Sequence, residues 1–141
     1  MSLTPFRINN KILLNMTQNS TGLNSNNGSL IVKGGMNISK DIYVGGTVQT
    51  ESDIRLKENI IVLQNSLEKV DNLRTVRFNY LSNPEVQIGF IANDFIQDFP
   101  ELIKTSDTGY YSMDYAKLTP ILLDCIKELK SRIISLEAKL A

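Results

Sequence analysis

The sequence predicts an α+β protein, with a short β-rich stalk in residues 1–50 and a small α+β domain in residues 51–141 that ends in a long helix. Three observations lead to this prediction. Composition changes near residue 50. Short alternating apolar stretches, which are typical of strands, occur on both sides of that point. Apolar residues towards the carboxyl end recur at steps of three and four, as in a coiled-coil helix.

Composition places the boundary between the two parts. Residues 1–50 contain eight Asn, one acidic residue and four basic residues, whereas residues 51–141 contain 14 acidic and 11 basic residues. The change falls between Gly45-Gly46 and Glu51. We therefore expect one domain in residues 1–50 and a second in residues 51–141.

The first part repeats a short alternating strand that ends in paired glycines. NNGSLIVKGG and MNISKDIYVGG both follow this plan, and we expect their glycine pairs to make turns with positive φ. Strands this short bury too little area to be stable alone, at roughly 25 cal/mol per Å². They form either a disordered leader with a hairpin or a fibre-like β stalk wound from several chains. The alternating apolar residues are Leu30, Val32, Ile38, Ile42 and Val44, and residues 17–27 are predicted to be loop.

The second part is predicted to alternate between short helices and short strands. Each prediction follows from the apolar period and from turn residues such as Asn, Gly and Pro. The predicted elements are a helix in 59–73, antiparallel strands in 75–81 and 86–92 around a turn at 82–84, a short helix in 94–99 ended by Pro100, and short strands at Ile103 and 110–113.

The last element is predicted to be a long helix with a coiled-coil seam. It opens at Thr119-Pro120, or begins near Asp114 and kinks at the proline. A seam with steps of four and three favours self-association over packing on the chain's own domain, although Ile and Leu at alternate core positions lean towards a dimer. We call these residues the seam: Leu122, Ile126, Leu129, Ile133, Leu136 and Leu140.

Charge and residue types exclude several classes of function. The net charge is zero, which gives no electrostatic reason to expect nucleic acid or an anionic membrane as a partner. No apolar run reaches the roughly 20 residues that a membrane span needs. Histidine is absent and Cys125 is the single cysteine, which excludes histidine-based catalysis, histidine zinc sites and an intrachain disulfide. We expect no cofactor and no metal.

Without histidine, a serine nucleophile needs another base, and lysine is a common substitute. Ser52 and Lys57 lie five residues apart at the composition boundary. Lysine acts as a base near neutral pH only where burial or a neighbouring cation lowers its pKa. Arg55, Ile54 and Leu56 are the neighbours expected to contribute to such a shift. Spacing alone makes this a weak indication, because serines close to lysines are common.

Five segments in one order make the indication stronger. They are S-D-I-R-L-K-E-N-I, I-G-F-I-A, F-P-E-L, Y-S-M-D-Y-A-K-L and I-K-E-L followed by the heptad helix. With these segments, residues 50–141 resemble the endosialidase-type intramolecular chaperone domain of phage tailspikes and fibres, which also occurs in myelin regulatory factor. The resemblance implies a domain that trimerises, drives the folding of an upstream triple-stranded β stalk and then cuts itself off.

The resemblance also implies roles for individual residues. Ser52 corresponds to the nucleophile and Lys57 to the base, and the cut falls between Glu51 and Ser52. The oxyanion donors stay open between the Asp53 N–H and a side-chain amide.

Other residues in the matching segments are expected to be structural. Asp114 and Tyr115 are predicted to cap and pack the start of the long helix. Residues 99–102 are predicted to stop a helix and contact the core.

Three functional interpretations follow. The first is a self-cleaving chaperone whose product is a trimeric stalk, the second is a trimerisation cap that does not cleave, and the third is a soluble oligomer whose coiled coil binds another protein. The expected partners are two further copies of the chain and its own upstream stalk. The expected location is a virion-associated fibre, or the host cytoplasm during assembly. A membrane-tethered transcription factor is the alternative parent, which the Asn-rich stalk disfavours.

Overall fold

The structure is a computed structural model that describes residues 30–140. It divides the chain into two units, Met1–Ser52 and Asp53–Ala141. We call the described part of the first unit, residues 30–52, the amino-terminal segment, and the described part of the second, residues 53–140, the head. The loop predicted in residues 17–27 lies outside the described residues.

The amino-terminal segment is extended and bends at regular places. The bends lie at residue 30 and at residues 33–34, 39–40 and 45–46, and every residue from 30 to 52 is exposed. Within these residues no strand pairs with another. The predicted positive φ at the glycine pairs is wrong, since Gly109 is the glycine with positive φ among the described residues. The bends at 33–34 and 45–46 therefore form without left-handed glycine.

The head contains two antiparallel strand pairs, two α-helices and four 3₁₀ turns. The sheet order is β1-β2 and β3-β4, so neither pair extends into a larger sheet within the described residues. The strands are β1 (Thr75–Tyr80), β2 (Asn83–Phe90), β3 (Ile103–Thr105) and β4 (Tyr111–Met113), the helices are α1 (Ser66–Val70) and α2 (Leu118–Leu140), and the 3₁₀ turns are Ile54–Leu56, Ala92–Phe95, Pro100–Leu102 and Tyr115–Lys117.

The helix predicted in residues 59–73 is wrong over its first half. Only Ser66–Val70 is helical, and residues 59–65 form an extended stretch that we call the connector. Asn59 and Asn65 have φ of 52° and 58°, a left-handed conformation that interrupts a right-handed helix. Three consecutive β-branched residues between them, Ile60, Ile61 and Val62, also favour extended backbone. These local preferences outweigh the helical spacing of the apolar residues.

The predicted antiparallel hairpin is confirmed. β1 pairs with β2 in a register that sets Val76 opposite Gly89. The second strand begins at Asn83, earlier than predicted. Gly89 is buried beneath Tyr115, whose hydroxyl accepts a hydrogen bond from the Phe90 N–H at 3.1 Å. A Cβ on Gly89 would lie 2.6 Å from that hydroxyl oxygen. The close approach requires glycine here.

The segment between the hairpin and α2 agrees with the prediction in kind but differs in detail. The predicted helix in 94–99 is a 3₁₀ turn, Ala92–Phe95, and Pro100 opens a second one instead of only ending the first. The predicted strands pair as β3 and β4. The turn that joins them contains Gly109 with φ of 83°.

The start of α2 lies between the two predicted alternatives. The Asp114 carboxylate accepts a hydrogen bond from the Ala116 N–H at 3.1 Å and caps the 3₁₀ turn that leads into α2. Pro120 is the third residue of α2, where the missing N–H has no helical acceptor to lose. The predicted structural roles of Asp114 and Tyr115 are thus confirmed.

The core lies where α2 packs against the 3₁₀ turns. Phe95 is fully buried, and full burial of such a side chain stabilises a fold by roughly 1.5–3 kcal/mol. α2 also contacts α1, where Glu128 Oε1 accepts a hydrogen bond from the Leu67 N–H at 3.3 Å. The predicted core contact of residues 99–102 is confirmed. The buried apolar residues are Phe95, Phe99, Leu102, Leu118, Ile121 and Cys125. In the part of the chain that the structure describes, no helix is long and apolar enough to span a bilayer.

Candidate functional site

The predicted nucleophile and base lie on either side of a short turn. Ser52 is the last residue of the first unit and is exposed, as is Lys57. The second unit begins at Asp53, which caps the 3₁₀ turn Ile54–Leu56. Lys57 ends this turn and donates its backbone N–H to the Ile54 carbonyl at 3.1 Å.

Asp53 and Arg55 hold the turn between them. The Asp53 carboxylate accepts from the Arg55 backbone N–H at 2.8 Å, from Arg55 Nε at 3.0 Å and from Arg55 Nη2 at 2.8 Å. This bidentate pairing with Arg55 holds the pKa of the Asp53 carboxyl below its usual range. Asp53 and Arg55 of the S-D-I-R-L-K motif thus have a structural role, which is to stabilise the turn that precedes Lys57.

The observed surroundings of Lys57 differ from those that the sequence predicted. Arg55 is paired with Asp53 and is not directed at Lys57 as a lone cation. Ile54 and Leu56 are 71% and 66% exposed, and the turn Ile54–Leu56 contains no buried residue. These three neighbours therefore do not enclose Lys57 within a single chain.

Two further apolar surfaces of the head are exposed. The first is the connector, where Ile60, Ile61 and Val62 are all exposed. Successive residues of an extended backbone point to opposite sides, so both sides of the connector are apolar. A continuous apolar run in extended backbone is typical of a strand that is covered on both faces.

The seam is the second exposed apolar surface. Every seam residue is exposed, and from residue 129 to 140 each described residue of α2 is exposed. At 3.6 residues per turn, the seam is centred about 90° around the helix from the face that packs on the head. One helix therefore has two neighbouring apolar faces, of which the head covers one. Self-association through the seam stays a prediction.

Part of the chain is similar to a known chaperone family and to phage tail fibre proteins. Residues 52–104 match the model of a peptidase family, S74, described as chaperone of endosialidase. Two curated relatives are the long tail fiber protein Gp37 of Enterobacteria phage K3 and that of Enterobacteria phage T2. Each is 28% identical to the chain over 102 residues, and the match covers 66% of this chain and 8% of the relative. The resemblance predicted from the sequence is confirmed by these matches.

Proposed function

Because residues 52–104 match the chaperone of endosialidase family, we propose that this chain trimerises, assists folding of its upstream β stalk and then releases itself. The release is a cut between Glu51 and Ser52. One observation carries the proposal, which is that the match to the family model begins at residue 52. Residue 52 is also the serine of the S-D-I-R-L-K motif.

The proposed chemistry is an acyl shift followed by hydrolysis. The Ser52 hydroxyl oxygen attacks the Glu51 carbonyl carbon through a five-membered ring, and Lys57 accepts the hydroxyl proton. The carbon–nitrogen bond then breaks, an ester joins Glu51 to Ser52, and the Ser52 nitrogen leaves as an amine that takes the proton back. Water hydrolyses the ester to give the Glu51 carboxylate and a free Ser52 hydroxyl. Because the reacting groups belong to neighbouring residues, effective concentration contributes much of the rate.

The proposal links cutting to assembly. Lysine acts as a base near neutral pH when it is desolvated, whereas Lys57, Ile54 and Leu56 are exposed in the single chain. The seam and the connector are exposed as well. Copies that join through these surfaces bring apolar side chains to the motif. Cutting then follows successful assembly and does not precede it.

Replacing the two proposed catalytic residues tests this function. The full chain with Ser52→Ala or Lys57→Ala is expected to stay intact on a denaturing gel, while the wild type gives two fragments. Ser82→Ala and Lys127→Ala are matched controls, since both residues are exposed and distant in sequence from the motif, and both variants are expected to cut like the wild type. An intact wild type, or cutting by the Ser52→Ala chain, contradicts the proposed reaction.

A trimerisation cap without cleavage is the second candidate. The exposure of Lys57 and its apolar neighbours in the single chain is the observation that favours it. A wild type that sediments as a trimer and stays intact at the Glu51–Ser52 bond supports the cap over the protease. A chain that sediments as a monomer contradicts both candidates.

The tail fibre relatives set the proposed context. Both are named as long tail fiber proteins of phages, which favours a virion-associated fibre as the parent of this chain. The upstream stalk would be the substrate of the chaperone, and two further copies would be its partners.

A further inference from the structure

The amino-terminal segment has a six-residue repeat. From residue 33 on, its backbone bends at residues 33–34, 39–40 and 45–46, so that each bend lies six residues after the last. Between the bends lie extended stretches of four residues, 35–38, 41–44 and 47–50. A fixed period of this kind, with one turn per unit, is the sequence signature of a repeat architecture.

Apolar residues recur at the same two places of successive units, except that Thr50 holds the fourth place of the last unit. Leu30 and Val32 lie at the equivalent spacing before the bend at residues 33–34. The second place of each stretch forms row A, and the fourth place forms row B. Two residues apart in extended backbone, the two places point to the same side of the chain. Row A is Leu30, Met36, Ile42 and Val48, and row B is Val32, Ile38 and Val44.

Each row has its own uniform environment. Row A residues are 60–80% exposed and row B residues are 42–46% exposed, so the exposure of each row stays within its own range from unit to unit. The third place differs, because it holds Asn37, Tyr43 and Gln49 after the apolar Ile31, and Tyr43 is 96% exposed. The repeat thus distinguishes a side with two apolar rows from a side that is mostly polar.

The segment does not cover its own rows. In a solenoid of one chain, each repeat buries its apolar residues against the next repeat. Here every described row residue stays exposed, and no strand of residues 30–52 pairs with another. A partner must therefore come from outside this stretch of chain.

We propose that rows A and B are the interior of a stalk made by the same segment of three copies in register. A partner that contacts both rows at every step must itself repeat every six residues, and a second copy of the segment has that period by construction. Third-place side chains such as Tyr43 then face outwards. This inference rests on the proposed trimer and adds to it the residues that meet inside the stalk.

A pair of adjacent substitutions tests the assignment. In the full-length chain, Ile42→Asp places a charge on row A, whereas Tyr43→Asp places the same charge on the outward side. Hydrogen exchange followed by mass spectrometry is measured for peptides from residues 30–50, and sedimentation velocity reports the oligomeric state of each variant. Ile38→Asp and Asn37→Asp repeat the comparison on row B.

The wild type and the Tyr43→Asp and Asn37→Asp chains are expected to exchange at similar slow rates. The Ile42→Asp and Ile38→Asp chains are expected to exchange at least about tenfold faster over these peptides, as locally opened structure does. A trimer whose residues 30–50 exchange as fast as unfolded chain overturns this inference alone. So does a trimer in which Tyr43→Asp opens the segment as much as Ile42→Asp. A monomeric wild type overturns the proposed function as well.

Discussion

The head and the amino-terminal segment are both rich in apolar residues, but only the head buries them. Phe95 in the head is fully buried, whereas every described residue of the segment is exposed. The difference lies in the pattern. Apolar residues of the head come from turns and a helix that fold back on each other. Those of the segment recur every six residues along an extended backbone. Within residues 30–52 these side chains therefore do not pack against one another.

This difference indicates a dependence of one region on the other. The head has a core of its own, although a small one, and an exposed seam. The segment is exposed at every described residue, and ordering an extended chain costs conformational entropy before any contact forms. We propose that joining three heads raises the local concentration of three segments. In this way the head would act as a chaperone for the segment.

A charge in the seam is expected to have the largest effect, which is the loss of assembly. Ile133→Asp places an uncompensated charge in the proposed coiled-coil core, where burying it is costly, so we expect the trimer to be lost at micromolar concentration. The control is Ser131→Asp, since Ser131 is exposed and lies outside the seam. Sedimentation velocity distinguishes the two. Assembly of the Ile133→Asp chain to the wild-type extent would show that the seam does not join the copies.

Truncation of the core tests the head alone. Phe95→Ala is expected to lower the free energy of unfolding by about 3–5 kcal/mol, because it removes a fully buried ring. Leu81→Ala is the control, since Leu81 is fully exposed at the hairpin turn, and a change within about 0.5 kcal/mol is expected. Denaturant unfolding at a fixed chain concentration measures both. Equal effects would mean that the core lies elsewhere.

The contact between Gly89 and Tyr115 is expected to have a smaller effect. Gly89→Ala brings a Cβ within 2.6 Å of the Tyr115 hydroxyl oxygen and within 3.3 Å of the Phe78 ring. Overpacking of this kind destabilises by about 1–3 kcal/mol. Adding Tyr115→Phe removes the nearer oxygen and is expected to recover part of the loss in a double-mutant cycle. Strictly additive effects of the two substitutions would contradict the contact.

Lowering the pH is expected to have the smallest effect on the stability of the head. The direction of this effect follows from the ion pair between Arg74 and Asp94. Arg74 donates to both oxygens of the Asp94 carboxylate at 2.8 Å, which holds the pKa of that carboxyl below its ordinary value. A carboxyl with a lowered pKa in the folded state stabilises above its unfolded pKa and loses that effect as pH falls through the folded pKa. The head should therefore lose stability below about pH 4, and the Asp94→Asn chain should lose less over the same range. Parallel pH profiles for the two chains would contradict this role.

The sequence predicts the hairpin and the long helix α2 well, because alternating apolar residues and apolar steps of three and four are strong local signals. It fails at residues 59–65, where helical spacing competes with β-branched residues and two left-handed asparagines that only backbone geometry reveals. The pairing of Asp53 with Arg55 was readable in principle, as an acid placed two residues before a base at a helix start. The six-residue period was also present in the sequence, but period-two alternation and the glycine pairs predicted only short strands ended by turns, in a stalk or in a hairpin. Contacts between copies cannot be seen in one chain, because the surfaces that make them are exposed in it.

The most direct test follows the Glu51–Ser52 bond as chains assemble. Unfolded full-length chain is diluted into native buffer at a series of concentrations, and intact mass spectrometry measures the cut fraction over time, with sedimentation of the Ser52→Ala chain reporting assembly at the same concentrations. The account predicts that cutting appears only at concentrations where the Ser52→Ala chain forms trimers, and that its rate rises with concentration. Cutting at a constant rate at concentrations where the chain is monomeric would contradict it, and so would a trimer whose bond stays intact.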